Sequence, residues 1–260
     1  KLETSMLELM NAIPFYGKVF INGDDKNSLK LLKKINRGVC TYGFRKNNNI
    51  VAKSIKYIDG KKMQFDVIFS KITYKVSTNL LGKHNVYNIL SAMSVCLHLG
   101  ISITKTIKSL TSFFGASRRF DVYEDITIYK QKPIIIDDYG HHPTEINSTL
   151  DTIKNLYPDK KIVMIFQPHR FSRTKAHWRL FLDVFRRLDR IILLPTYSAG
   201  EKNNSFDSSF IYQKIKNKNK LLLESIGEVE DVLKNINFDN SVLVLQGAGD
   251  IKDIMNTLKR

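Results

Sequence analysis

PIIIDD (133–138), KIVMIF (161–166), RIILLP (190–195), KLLLE (220–224) and SVLVLQ (241–246) are short apolar runs spaced along the second half of the sequence. Stretches with helical spacing separate them. Strands buried on both faces of a sheet are continuous apolar runs, and their alternation with helices is typical of parallel sheets. The five runs therefore predict an α/β fold with a doubly wound, Rossmann-like sheet in the carboxy-terminal part of the chain.

The first part of the chain shows two other patterns. Residues 14–44 alternate between strand and helix, in the manner of the end of an α/β sheet. Residues 50–79 alternate apolar and polar side chains, and Asp59 and Gly60 stand between two such runs as a hairpin turn. This second pattern predicts an antiparallel insertion or flank.

A domain boundary follows two predicted helices. The first covers residues 84–99 and ends at Gly100 as a C-cap glycine, and the second comes soon after it. The pattern breaks around SFFGASRRFD (112–121), before the regular strand and helix repeats begin. We place the boundary at about residue 118, which gives domains over 1–118 and 119–260.

Length and composition restrict the class of protein. At 260 residues with 43% hydrophobic side chains, the chain can bury the core of one large or two modest domains. No run approaches the roughly 18 to 20 apolar residues that span a bilayer, and the start, KLETSMLELM, has no signal-peptide layout. We expect a cytoplasmic protein with no membrane partner. Because this start lacks Met and already has helical spacing, we also expect the natural protein to begin further upstream.

Cysteine and charge suggest no metal and no nucleic acid. Cys40 and Cys96 each lie in an apolar stretch without a second Cys or a His at metal-ligand spacing, which predicts two buried, reduced thiols and no metal ligands. The net charge of +16 is compatible with nucleic acid as a partner. Its lysines are scattered, however, without a basic stripe interleaved with aromatics. A nucleotide or an anionic sugar phosphate fits this pattern better.

Polar side chains follow the first run of the predicted sheet at its carboxyl end, where ligands sit in open α/β sheets. Asp137 and Asp138 are followed directly by Tyr139, and the histidines His141 and His142 come next. Two carboxylates, a phenol and two imidazoles at a strand-to-helix turn indicate a functional site. The alternative is that Asp138 caps the turn and the histidines are solvated.

The second run delivers arginines to the same edge. Arg170 and Arg173 follow KIVMIF and are three residues apart, so they could form a fork for phosphate or carboxylate. As isolated arginines they would be solvated surface. Their place after a core strand favours function.

Two further groups lie upstream. Asn85 and Asn88 stand one helical turn apart with His84 at the start of the helix, so the asparagines could read the edge of an adenine, although N-capping would explain one of them. Arg118 and Arg119 could neutralise a polyphosphate near the boundary, or form a basic linker.

Two phosphate-binding patterns are discounted. QGAGD (246–250) lacks the third glycine and the following βαβ unit of a dinucleotide site, so a tight strand-to-helix connection is the better interpretation. The sequence contains no G-x-x-x-x-G-K-[ST] loop. We therefore expect the chain by itself to be inactive as an ATPase.

Several motifs, taken in order, resemble the Mur ligase family. They are GKHNVYN (82–88), GASRRFD (115–121), DDYGHHPTEI (137–146), FQPHRFSRT (166–174), YSAGE (197–201) and VLQGAGDI (244–251). The two longest resemble the alanine-adding type within the family rather than the sister enzyme that recycles murein tripeptide. The resemblance covers nearly the whole chain and implies the end of a central ATPase domain followed by a complete carboxy-terminal domain.

The resemblance also implies a reaction. ATP would phosphorylate the muramate carboxylate of UDP-N-acetylmuramate, and the amine of L-alanine would attack the acyl phosphate to form a C–N bond in peptidoglycan precursor synthesis. Mg²⁺ would be a cofactor with its main ligands upstream, where the family also has its UDP-binding domain and phosphate loop. The alternatives are a nucleotide-binding module without ligase activity and an NAD-dependent oxidoreductase, although the fingerprint of the latter is lacking.

The resemblance assigns roles to the candidate residues. Asn85 and Asn88 would contact adenine, Asp138 the ribose, and His84 the nucleotide site in a role left open. Arg118 or Arg119 would neutralise ATP phosphate. Alanine and the acyl phosphate would be surrounded by Tyr139, His141, Arg170 and Arg173.

Overall fold

The computed structural model describes residues 2–202 and 205–258. The chain divides into two compact units between Gly115 and Ala116, slightly before the predicted boundary. Arg118 belongs to the second unit, because its backbone N–H donates to Asp121 Oδ2 at 2.8 Å and its carbonyl accepts from the Tyr139 N–H at 2.7 Å.

The first unit combines a short parallel sheet with an antiparallel extension. The sheet order over the described residues is β1-β2-β3-β4-β5, with β1 to β3 parallel and β3 to β5 antiparallel. This confirms the two patterns expected from the sequence. The elements are α1 (Leu2–Ala12), β1 (Lys18–Asn22), α2 (Lys26–Leu32), β2 (Gly38–Gly43), β3 (Ile50–Ile58), β4 (Lys62–Phe69), β5 (Ile72–Thr78), α3 (Lys83–His98) and α4 (Ile103–Leu110).

Local chemistry sets the turns and helix ends of this unit. Asp59 and Gly60 lie in the three-residue loop between the paired residues Ile58 and Lys62, and their φ values of +50° and +66° are typical of a tight hairpin turn. Helix α3 buries an apolar stripe that includes Val86 and Leu90, and packs against the parallel strands. It ends before Gly100, whose φ of +79° confirms the predicted C-cap glycine.

The cysteines and helix α1 of this unit are more exposed than the sequence suggests. Cys40 and Cys96 are free thiols, but both are half-buried rather than buried. Helix α1 forms as expected, yet none of its described residues is buried, and Leu2 and Leu9 lie exposed. None of the helices described is long and apolar enough to cross a membrane.

The second unit is built on one larger sheet. Its order over the described residues is β10-β9-β8-β11-β7-β6, and all neighbours are parallel except the edge strand β6, which runs antiparallel to β7. The elements are β6 (Asp121–Tyr123), β7 (Ile134–Asp138), α5 (Pro143–Leu156), β8 (Lys161–Phe166), α6 (Phe171–Phe185), β9 (Arg190–Leu193), α7 (Ser208–Lys214), β10 (Lys220–Leu222), α8 (Val229–Lys234), β11 (Ser241–Gln246) and α9 (Lys252–Leu258).

Helices cover both faces of this sheet. On one face Phe166 of β8 packs against Phe181 and Phe185 of α6, with ring centroids 5.4 and 5.3 Å away. On the other, strand residues such as Ile165 and Leu243 pack with the buried side chains of α8 and α9. Helices on both faces of a mainly parallel sheet confirm the predicted doubly wound fold. The strands are continuous apolar runs because both of their faces are buried.

The strand order creates a switch point at β11. The chain passes from β7 through α5 to β8, and β11 later inserts between these two strands. Helix α9, which follows β11, lies on the opposite face of the sheet from α6. In register, Gln246 is opposite both Asp138 and Phe166, so the carboxyl ends of the three strands are level. Open α/β sheets bind their ligands outside such ends.

Candidate functional site

The turn after β7 is fixed from the neighbouring strand. Gln246, which is fully buried, donates from Nε2 to Asp138 Oδ1 and to the carbonyl of Gly140, both at 2.7 Å. Asp138 also accepts from the backbone N–H of Gly140 at 2.8 Å and of Phe120 at 3.0 Å. A Cβ at Gly140 would lie 2.6 Å from Asp138 Oδ1, so only glycine fits. Asp138 thus caps the turn, which was the structural alternative considered above.

Helix α5 begins with a histidine cap. His142 Nδ1 accepts from the Thr144 N–H at 3.2 Å, and Glu145 Oε2 accepts from the N–H groups of His141 and His142, both at 2.9 Å. Burial raises the pKa of Glu145, but these two amides, together with the charges of His141 and Arg119, outweigh burial and hold the pKa below its usual value. Burial, with the His177 ring 4.6 Å away, lowers the pKa of His142. A neutral His142 suits its role as a cap.

The two arginines near the unit boundary differ in availability. The Arg118 guanidinium lies 3.0 Å from Asp137 Oδ1 and donates to the Gly247 carbonyl at 2.7 Å, and its side chain is 13% exposed. Arg119 is 52% exposed and lies over the Tyr139 ring at 5.3 Å. Arg118 therefore holds the sheet edge together, and Arg119 is the one whose charge faces solvent.

The start of α6 is capped by a distant loop. Arg170 occupies the N-cap position with φ of +69° and makes no side-chain cap bond. Instead Glu201 accepts from the Ser172 N–H at 2.9 Å and from its hydroxyl at 2.5 Å. The carboxylate thus satisfies the free amides at the helix start, and the Arg170 side chain stays exposed.

Arg173 is anchored within the first turn of α6. Its Nη1 lies 3.2 Å from His169 Nδ1 and donates to the His169 carbonyl, also at 3.2 Å. The predicted pair of arginines therefore divides into an exposed Arg170 and a half-buried, fixed Arg173.

Four rings form a continuous row along the carboxyl ends of β7, β8 and β9. Tyr139 is 5.5 Å from His141, His141 is 5.2 Å from His169, and His169 stacks on Tyr197 at 5.4 Å and 18°. Arg119 covers the Tyr139 end. The structure therefore brings together all four predicted catalytic residues, Tyr139, His141, Arg170 and Arg173, at one rim of the second unit.

The connection after β11 approaches its neighbour closely. Gln167 Nε2 donates to Asp250 and its Oε1 accepts from the Ile251 N–H at 3.1 Å. A Cβ at Gly249 would lie 2.3 Å from Gln167 Oε1. The interpretation of QGAGD as a tight strand-to-helix connection is confirmed, because its glycines permit packing against β8.

The upstream candidates lie together in the first turn of α3, in the other unit. Asn85 is buried; its Nδ2 donates to the Leu81 carbonyl at 2.8 Å and its Oδ1 accepts from Asn88 Nδ2 at 3.1 Å. Asn88 is exposed and His84 is half-buried. The amide of Asn85 is thus used internally, and Asn88 presents the accessible amide.

A half-buried network of hydrogen bonds supports this turn. Tyr87 donates to Asp24 Oδ2 at 2.9 Å, and the same carboxylate accepts from the backbone N–H groups of Phe44 at 2.5 Å and Arg45 at 3.1 Å. Burial and the Asp24 charge raise the pKa of Tyr87 to about 12. The phenol therefore remains a donor.

Sequence reasoning missed several residues that shape the site. Glu145 had a local signal, because it stands three residues after the cap, as in a capping box. Gln246, His169, Tyr197 and Glu201 lie within the family motifs quoted above, but spacing alone gave them no role, and the partners of Gln246 and Glu201 lie on other strands or loops. For metal, the described ranges contain no group of three or more His, Cys, Asp or Glu side chains that could hold an ion. We therefore assign no magnesium ligand to them.

The fold and the residues at this rim are those of an α/β enzyme domain. The second unit is a doubly wound α/β domain whose switch point carries guanidinium, imidazole and phenol groups, which is the chemistry of an enzyme domain that handles carboxylates or phosphates.

Comparison with known proteins identifies the family within this class. The "Mur ligase, glutamate ligase domain" matches residues 118–249, and the "Mur ligase middle domain" matches residues 1–96. The chain belongs to the Mur ligase family.

Relatives and solved structures agree with this assignment. The chain is 37% identical to the UDP-N-acetylmuramate–L-alanine ligase of Vesicomyosocius okutanii, covering 100% of this chain and 56% of that protein. For the enzyme of that name from Neisseria gonorrhoeae the identity is 33%, with 99% and 57% covered. The chain thus spans somewhat more than half the length of these relatives. The structure of UDP-N-acetylmuramate-alanine ligase from Thermotoga maritima shares 25% identity at a TM-score of 0.71, covering 93% of this chain and 50% of that one.

A more distant structure shows the fold alone. MurF from Acinetobacter baumannii superposes with a TM-score of 0.76 at 16% identity, covering 100% of this chain and 55% of that chain.

Proposed function

We propose that the chain supplies the amino-acid site and part of the nucleotide site of an ATP-dependent ligase that joins L-alanine to UDP-N-acetylmuramate. The observation that carries the proposal is the rim of Tyr139, His141, Arg170 and Arg173 at the switch point of a Mur ligase domain. Relatives that bear the name of this activity support it. We assign the reaction to the cytoplasm and to peptidoglycan precursor synthesis.

The rim suits the chemistry of acyl transfer. In the proposed reaction, ATP phosphorylates the muramate carboxylate, and the amine of alanine attacks that carbonyl carbon. A C–N bond forms as the C–O bond to phosphate breaks. Negative charge develops on the tetrahedral carbonyl oxygen and on the departing phosphate, and fixed cations stabilise such charge best. Arg173 is fixed and half-buried, while the exposed Arg170 can meet the alanine carboxylate.

The nucleotide contacts are proposed residue by residue. Asn88, backed by Asn85, would read the adenine edge, and His84 would line the same site. Arg119 rather than Arg118 would neutralise phosphate, because Arg118 is 13% exposed and lies 3.0 Å from Asp137, whereas Arg119 is 52% exposed and its contact with Glu145 is longer, at 3.9 Å.

Asp138 has limited capacity for the proposed ribose contact. Three chain donors already occupy its carboxylate, so about one further acceptor position remains for a hydroxyl. Mg²⁺ would supply positive charge for phosphoryl transfer from ATP in such a ligase, and we assign none of the described residues as its ligand.

The experiment is a ligation assay with a complete ligase that contains this chain. UDP-N-acetylmuramate, ATP and each of several amino acids are supplied, and we expect ADP, phosphate and the L-alanine adduct in equal amounts. Product formation with another amino acid in preference to alanine would contradict the proposal. The 260-residue chain alone should not turn over ATP, because its sequence has no phosphate loop. Robust turnover by the chain would refute that part.

A further inference from the structure

The imidazole of His169 contacts the guanidinium of Arg173 within the rim. Its Nδ1 lies 3.2 Å from Arg173 Nη1. A guanidinium has only donors, so Nδ1 must be the acceptor in this contact, and the imidazole proton must sit on Nε2. The geometry therefore requires one neutral tautomer of His169, because a protonated imidazole would present a second donor to Arg173.

The ring is held so that this acceptor points at Arg173. Tyr197 stacks on one side of His169 at 5.4 Å and 18°, and His141 packs at 5.2 Å and 42°. The backbone of Tyr197 fixes the segment on both sides of His169, since its carbonyl accepts from the Arg170 N–H and its N–H donates to the Pro168 carbonyl, both at 2.8 Å.

Charges around the ring favour the neutral form. Burial, together with His141, Arg173 and Arg170, lowers the pKa of His169, against which Glu201 acts in the opposite sense. Tyr197, which stacks on the ring, is the other titratable side chain packed against it. A base with a lowered pKa keeps its neutral form above that pKa, so the contact with Arg173 is present at neutral pH and is lost as the pH falls through the pKa of His169.

We propose that His169 is a positioning residue, whose neutral imidazole accepts from Arg173 and holds that guanidinium in place for the reacting carboxylate or phosphate. Its kinetic consequence rests on the proposed function. The structural part concerns only the two side chains and is independent of any substrate. A fixed guanidinium avoids the reorganisation that a mobile arginine would need as charge develops.

Two substitutions separate the acceptor from the ring. His169→Asn places an amide oxygen near the position of Nδ1 and does not titrate. His169→Phe keeps a ring between Tyr197 and His141 but has no acceptor. In the complete ligase we expect His169→Phe to lower kcat/KM for the amino acid about 100-fold, the usual cost of a misplaced catalytic group. For His169→Asn, kcat/KM should stay within about tenfold of the parent value. Its pH profile should also lose the fall at low pH that protonation of His169 causes.

The structural part is tested by nitrogen NMR on the 260-residue chain itself. We expect an unprotonated Nδ1 and a protonated Nε2 for His169 near pH 7. Arg173→Met should raise the titration midpoint of His169 towards the ordinary value of about 6.5 and mix the tautomers. His98→Asn, in the last turn of α3, serves to assign signals and should leave the His169 titration unchanged.

The two experiments fail in different ways. A protonated Nδ1 in the parent chain, or an unchanged His169 midpoint in Arg173→Met, would overturn the inference whatever the enzyme does. Equal kcat/KM and equal pH profiles for the parent and His169→Phe in an active ligase would also overturn it. A correct tautomer in a protein that makes no alanine adduct would instead refute the proposed function and leave the pairing of His169 with Arg173 intact.

Discussion

Gln246 donates from Nε2 to Asp138 Oδ1 at 2.7 Å, and so ties the carboxyl end of β11 to that of β7. The same amide nitrogen donates to the Gly140 carbonyl, also at 2.7 Å. At the other end of the turn, Glu145 binds the N–H groups of His141 and His142. The segment that carries Tyr139 and His141 is therefore fixed at both ends before any ligand binds.

Removal of the Gln246 amide should destabilise the second unit. Gln246→Leu removes one of the three donors to the Asp138 carboxylate and the donor to the Gly140 carbonyl, and each buried hydrogen bond lost in this way costs about 1–3 kcal/mol. We expect the free energy of unfolding to fall by about 2–4 kcal/mol, measured in urea through fluorescence of Trp178, the single tryptophan. Gln213→Leu, at an exposed position of α7, is the control and should stay within about 0.5 kcal/mol. If the free energy of unfolding of Gln246→Leu also stayed within about 0.5 kcal/mol of the parent value, the Gln246 contacts would be dispensable.

Asp138→Asn should remove the acceptor available to a ribose hydroxyl while it keeps two of the three hydrogen bonds of the turn. The amide can still accept from Gln246 and Gly140, but its NH₂ would then face the Phe120 N–H, and no second acceptor remains for a ribose hydroxyl. In the complete ligase we expect a higher KM for ATP with a smaller change in KM for L-alanine. Kinetics are run well below the melting temperature of the variant. Unchanged KM for ATP would remove the ribose assignment.

The sheet of the second unit was predictable because its signal is local. Strands such as Ile134–Asp138 and Ser241–Gln246 are buried on both faces, so their apolar runs are continuous and visible in the sequence. The placement of polar residues after strand ends followed from the parallel direction alone. The edge strand β6 was not predicted, because three half-buried residues carry no periodic pattern.

The contacts within the site were not predictable, because they join distant positions. Gln246 and Asp138 are 108 positions apart, and Ser172 and Glu201 are 29 apart. No local spacing reports such pairs. From their spacing, the two arginines after β8 were expected to act together as a fork for phosphate or carboxylate. In the structure Arg170 has a positive φ, and Arg173 is held by His169. Only the folded loops distinguish them.

The capping carboxylate should make stability depend on pH. Burial raises the pKa of Glu145, but two amide hydrogen bonds together with the charges of His141 and Arg119 outweigh burial and hold the pKa below its ordinary value. A carboxylate with a lowered pKa contributes stability above its unfolded pKa and loses it as the pH falls through the folded pKa. Glu145→Gln should therefore lower the melting temperature at pH 7, and the difference should shrink below about pH 4.5. Its side chain is 39% exposed, so we expect less than about 1 kcal/mol. A difference that is constant from pH 7 to pH 3 would contradict this account.

Both rim arginines should matter for catalysis, in different ways. Arg170→Ala and Arg173→Ala should each cost on the order of 2–4 kcal/mol in kcat/KM for the amino acid. Lys should rescue neither fully, since a point charge does not reproduce a planar fork. We expect Arg173→Ala to act mainly on kcat and Arg170→Ala to raise KM for alanine. Arg186→Ala, 65% exposed near the far end of α6, is the control. Near-parental kinetics in both rim variants would show that the pair is only surface.

Limited proteolysis should separate the two units before either is degraded. Phe113 and Phe114 are 51% and 77% exposed and lie just before the division at Gly115 and Ala116. A protease specific for aromatic residues should cut here, and also at the exposed Phe15 and Tyr16 in the turn before β1, because exposed segments outside helices and strands unfold locally at little cost. Trypsin should cut at Arg118 more slowly, since its side chain is paired with Asp137.

The products can be checked by mass and by stability. The carboxy-terminal product should start at Phe114 or Gly115 and keep a cooperative transition in Trp178 fluorescence, because it contains the whole doubly wound sheet. A double variant, Phe113→Ser with Phe114→Ser, should resist the cut between the two units while its Trp178 transition is unchanged. First cuts within β7 to β11, or unfolding of all 260 residues as one protease-resistant unit, would refute the independence of the second unit.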